Sequence, residues 1–129
     1  RLEGARLAVA AYEEAAAAAG ATGDVVEARI LRGDVMLAGG EGDPRPVFES
    51  AMAMAQEAGI PHSAASASQR LGRVALRAGD PAAARAAFER ALAWYRESGA
   101  THQLDVVLYN LATAVAASGD VAGAIEHYE

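Results

Sequence analysis

Four landmarks in the chain recur at a spacing of 40 residues. Leu71, Gly79, Phe88 and Ala91 have counterparts at Leu31, Gly39, Phe48 and Ala51, and again at Leu111, Gly119 and Tyr128. Glycine-centred turns keep the same rhythm at Gly20-Ala21-Thr22, Gly59-Ile60-Pro61 and Gly99-Ala100-Thr101, with one residue of slippage at the first. A unit of this size cannot bury its own apolar face. A repeating unit must therefore stack on its neighbours and form a continuous core from one unit to the next.

Each period reads as two helices. Asp24-Val-Val-Glu resembles a capping box and predicts a helix from Asp24 to about Ala38. The cluster Gly39-Gly40-Glu41-Gly42 breaks it, and Asp43-Pro44 starts a second helix that ends near Gly59. The next period predicts helices from His62 or Ser63 to Gly79 and from Asp80-Pro81 to about Ser98. Thr101 opens another helix ending at Gly119, and Asp120 caps a last one running into Glu129. Leu2 to Ala19 reads as the second helix of a pair without its first. The expected total is seven, and the short turns force antiparallel pairs.

Composition agrees with this reading. Alanine, the best helix former, dominates, aromatics are 5%, and all 11 basic residues are arginine. The Ala, Gly and Arg bias suggests a GC-rich bacterial source. A net charge of −6 argues against general nucleic-acid binding. There is no cysteine, and His62, His102 and His127 show no metal-ligand spacing, so no cofactor or metal is expected. No run is apolar enough to span a membrane. The chain starts at Arg1, and is expected to be a cytoplasmic piece of a longer protein whose two ends expose apolar surface for self-association.

The period 61–100 resembles a tetratricopeptide repeat, with Leu71-Gly72 in the first helix and Ala84-x-x-x-Phe88 followed by Ala91 in the second. The third period keeps Leu111-Ala112 and Ala124-x-x-x-Tyr128. The resemblance implies an all-α superhelix of antiparallel helix pairs, with domain limits at 1–20, 21–60, 61–100 and 101–129 in one array. Small residues at Gly72 and Ala84 let two helices approach, and Leu71, Phe88 and Leu92 fill the space around them. Ser68 and Leu108 stand where the family has an aromatic residue, and Ala75 where it has a tyrosine. In the first period a constant 40-residue step puts Arg32 opposite Gly72 and Pro44 opposite Ala84. That predicts a wider helix–helix approach and a shorter second helix. Repeats of this length are similar to those of bacterial regulators and kinesin-light-chain-like scaffolds.

The resemblance further implies that the first helices line a concave groove for a protein or peptide. Arg70, Arg73 and Arg77 share one helix face by their spacing. Segment 62–96 holds six arginines against Asp80 and Glu89, and arginine pairs bidentately with carboxylate or phosphate. With the 40-residue step, Arg29, Gln69 and Tyr109 are equivalent, and Asn110 matches Arg70. The expected groove is Arg29, Gln69, Arg70, Arg73, Arg77, Tyr109 and Asn110, taking an acidic or C-terminal carboxylate segment. The competing reading is a solvated face whose arginines pair with nearby acids such as Asp105, and for Asn110 a satisfied hydrogen bond between helices.

The remaining candidates read as structural. His62 and His102 lie too far apart for one metal, Trp94 covers a turn between units, with a convex binding patch as the alternative, and Met36, Met52 and Met54 pack. Glu13-Glu14 is expected on an exposed face, and no nucleophile or phosphate-loop motif occurs, so no catalytic residue is assigned. The functional classes left are a peptide-binding scaffold, a ligand-sensing domain of a regulator, and a self-association element.

Overall fold

The computed structural model describes residues 2–119, which form six helices. They are α1 (Leu2–Ala18), α2 (Thr22–Gly39), α3 (Arg45–Ala58), α4 (Pro61–Arg77), α5 (Pro81–Ser98) and α6 (Thr101–Ser118). The helix expected from Asp120, with Ala124, His127 and Tyr128, lies outside the described residues.

The helix ends follow local chemistry. α3 stops at Gly59, whose φ of 71° is left-handed; the Ile60 N–H then returns to the Ala55 carbonyl at 2.9 Å, satisfying a carbonyl the helix leaves open. α5 starts with Pro81 in its first turn, while the Asp80 carboxylate accepts the Ala83 N–H at 3.1 Å. The Asp24 cap is a correction. α2 begins two residues earlier, at Thr22, with Ala21 at the N-cap and no side-chain bond there. Asp24 sits inside the first turn and accepts the Tyr12 hydroxyl at 3.0 Å. Asp43 does work at the start of α3, accepting the Arg45 backbone N–H at 3.0 Å. The Arg45 guanidinium holds its carboxyl below the usual carboxylate range.

Each helix packs on the next in sequence, as antiparallel hairpins require. In addition α2 meets α4 and α4 meets α6, while among the described residues α1, α3 and α5 make no close backbone contact with one another. The first helices are thus the closer-spaced set and form the inner side of the curve. Two buried clusters lie between the layers. One is built on Val26, Ile30, Phe48, Ala51, Ala55, Ala64 and Ala67. The other is built on Phe88, Leu92, Tyr95, Val107 and Leu111. Trp94 packs against both, so it joins neighbouring units.

The first pair corrects the register. Gly33, not Arg32, is the counterpart of Gly72. Both glycines are buried against the aromatic ring of their partner helix: a Cβ on Gly72 would stand 2.5 Å from Phe88 Cε1, and one on Gly33 would stand 2.6 Å from Phe48 Cζ. At this one contact the first pair is as tight as the second, while α2 and α3 meet less extensively than α4 and α5. The glycines are 39 positions apart and the phenylalanines 40, so the shift of one residue falls between Gly33 and Phe48. The second helix of the first pair is shorter, as expected, at 14 residues against 18. Ser68 stands where an aromatic was expected and makes a different contact. Fully buried, its hydroxyl donates to the Ala87 carbonyl at 2.7 Å and ties α4 to α5.

Candidate functional site: the crevice between α2 and α4

Spacings of three and four residues bring Arg70, Arg73 and Arg77 to one face of α4. That face borders α2, and the three side chains line a crevice of about 280 Å³ with Asp34, Leu37, Ala38 and Val74. The corrected register explains the one acid present, because Asp34 occupies in α2 the position that Arg73 holds in α4. Arg70 reaches across with its Nε 2.8 Å from Asp34 Oδ1, and its Nη1 donates to Ser66 Oγ at 2.6 Å. It is a fixed wall, three-quarters buried. Arg73 and Arg77 are exposed and make no hydrogen bond or ion pair among the described residues.

The other expected groove residues separate. Arg29 faces α1 and α3, donating to Glu13 at 3.1 Å and to Ser50 Oγ at 2.6 Å. Gln69 is buried and accepts the Tyr95 hydroxyl at 3.3 Å, a bond within the core. Burial pushes the Tyr95 hydroxyl above its ordinary pKa of 10.0, against the pull of the Arg70 charge. Tyr109 stands 73% exposed on α6. Asn110 is half-buried with no hydrogen bond among the described residues. By the repeat register, Asn110 stands to Arg73 as Arg70 stands to Asp34. His62 sets its ring edge-on to Tyr95, centroids 5.6 Å apart, a packing contact.

Sequence reasoning missed a second charged group. Glu13 is not on an exposed face: its side chain is 18% accessible and receives Arg29 and Arg32, at 3.1 and 3.2 Å. It occupies in α1 the position of Met52 in α3 and Leu92 in α5. The signal was present in the turn-to-turn count, Gly20 to Gly59 to Gly99, which aligns the three. Beside it, a larger recess of about 750 Å³ runs between α1 and α2, with Val9, Ala10, Val35 and Met36 among its apolar walls.

Among the described residues no helix is long and apolar enough to cross a membrane. No group of three acidic, histidine or cysteine residues there could hold a metal ion.

Stacked antiparallel helix pairs, the two complete ones among the described residues locked by an aromatic ring on a glycine, define a helical-repeat solenoid. A family model described as tetratricopeptide repeat matches residues 62–129, more than half of the chain, and the protein belongs to that family. Repeats of this family form non-catalytic scaffolds for protein–protein interaction. No curated protein and no solved structure matches the chain significantly.

Proposed function

We propose that this chain is a peptide-binding module of a larger cytoplasmic protein. It has no catalytic role, and the peptide lies along the inner face formed by α2, α4 and α6. One observation carries the reading. Arg73 and Arg77 border a largely polar crevice and have no counter-charge of their own among the described residues, while Arg70 beside them does. Exposed arginines without partners attract an acidic side chain or a C-terminal carboxylate. Asn110, one helix further along, offers donors and an acceptor to the peptide backbone. Gln69 and Arg29 support the core instead and are left out of the groove.

The test is binding of degenerate peptide arrays by the full chain and by the double variant Arg73→Glu, Arg77→Glu. Both positions are exposed, so the fold should persist, and circular dichroism checks it. Loss of acidic-peptide binding is the expected result; unchanged binding by the variant would remove the groove from consideration.

A second reading, a ligand-sensing domain of a bacterial regulator, is favoured by the recess between α1 and α2. Its volume falls in the range typical of small-molecule sites, about 300–1,000 Å³. A shift in thermal midpoint with a small-molecule panel, abolished by Val35→Trp, would support it over the scaffold reading.

A further inference from the structure

We infer that the anionic group taken by the α2–α4 crevice is a phosphate monoester, carried on a serine, threonine or tyrosine of the bound peptide, and not a carboxylate. The inference rests on the groove reading above and names the group that the groove selects.

Charge balance is the first ground. Three guanidinium groups and one carboxylate line the crevice. Asp34 is taken up by Arg70, at 2.8 Å. What remains is the charge of Arg73 and Arg77, two units, on side chains with no partner among the described residues. A phosphate monoester carries about −1.5 to −2 at pH 7 and offsets both charges; a carboxylate offsets one and leaves the other to solvent.

Geometry is the second ground. Residues four apart on a helix have Cβ atoms about 5–6 Å apart. The two forked donors of Arg73 and Arg77 can therefore converge on one tetrahedral group, whose three oxygens accept from both forks, where a carboxylate has two oxygens and suits one fork. Arg70 cannot swing in as a third ligand while it holds Asp34 and Ser66. Asp34 therefore sets the charge of the site: it lowers three positive charges to two and fixes the wall against which the anion sits. Leu37, Ala38 and Val74 supply the apolar side of the crevice.

The experiment uses the full chain and degenerate heptapeptide arrays in three forms, with phosphoserine, glutamate or serine at the central position. Phosphoserine arrays should bind at least about tenfold more tightly than glutamate arrays. The preference should fade as pH falls below about 6, where the phosphate takes its second proton and a carboxylate does not. Arg73→Gln with Arg77→Gln should erase the preference. Asp34→Asn should raise phosphopeptide affinity by about threefold, because it frees Arg70. Equal binding of phosphoserine and glutamate arrays, lost in the arginine variant, would overturn the phosphate assignment and leave the peptide groove standing. A phosphoserine preference that survives in the arginine variant would also overturn it. Failure of all three arrays to bind would overturn the groove reading and this inference together.

Discussion

Phe88 occupies the space that any side chain at Gly72 would need: a Cβ there would meet three ring atoms at 2.5 to 2.7 Å. The ring is fully buried, so it has nowhere to move without disturbing Ala84, Ala91 and Leu92 around it. Replacing a helix-interior glycine by alanine normally gains about 0.5–1 kcal/mol. Here the overlap should reverse the sign, and Gly72→Ala should lose about 1–3 kcal/mol net in urea unfolding. Gly33→Ala should behave alike against Phe48. Arg32→Ala, at a half-exposed position, should cost under about 1 kcal/mol. If Arg32→Ala proved the worse change, the 39-residue register of the first helices would be wrong.

That register marks the limit of what could be read beforehand. The all-helical architecture was legible because glycine turns, Asp-Pro starts and small-aromatic pairs recur, and each has a local physical cause. The first pair was misaligned because a constant 40-residue step passed through Gly39-Gly40-Glu41-Gly42, where three of four residues are glycine and every alignment looks equally good. The slip concealed Asp34, which in the correct register stands level with Arg73. The arginine stripe itself was legible from spacing along one helix. Gln69 was not, because its burial depends on Tyr95 arriving from α5, 26 positions away.

Glu13 gives a second test. Two arginines converge on it from α2 at a position that is apolar in α3 and α5, and its side chain is 18% accessible. Glu13→Ala should leave Arg29 with only its Ser50 bond and cost about 1–2 kcal/mol. A double-mutant cycle with Arg29→Ala should return a coupling above about 0.5 kcal/mol, beyond that of the fully exposed ion pairs.

The cap assignments separate cleanly. Asp80→Ala removes an N-cap bond to the Ala83 N–H and should cost about 1 kcal/mol. Asp24→Ala removes a first-turn charge and an exposed bond to Tyr12, and should cost about half as much or less. Thermal unfolding of the two variants side by side checks the order, and equal losses would restore Asp24 as a cap.

Tyr95 predicts an alkaline dependence. Its folded pKa is raised above the ordinary 10.0 by burial, so the folded state holds the proton more tightly than the unfolded state. Stability from this group is complete below pH 10 and is lost as pH climbs through the folded value. Tyr95→Phe should lower stability near neutrality by about 1 kcal/mol, since Gln69 loses its partner. It should also flatten the decline measured by chemical denaturation above pH 10, and an unchanged slope would count against the buried hydroxyl as its source.

The contact pattern among helices has a mechanical consequence. α2 and α4, and α4 and α6, make backbone contacts along the inner side, whereas α1, α3 and α5 make none with one another. Such an arrangement joins neighbouring units chiefly through its inner helices, so a change of spacing there would be felt first. The crevice bordered by Arg73 and Arg77 lies on that inner side, between α2 and α4. Trp94, the single tryptophan of the chain, touches both buried clusters, so its fluorescence reports on the packing between neighbouring units.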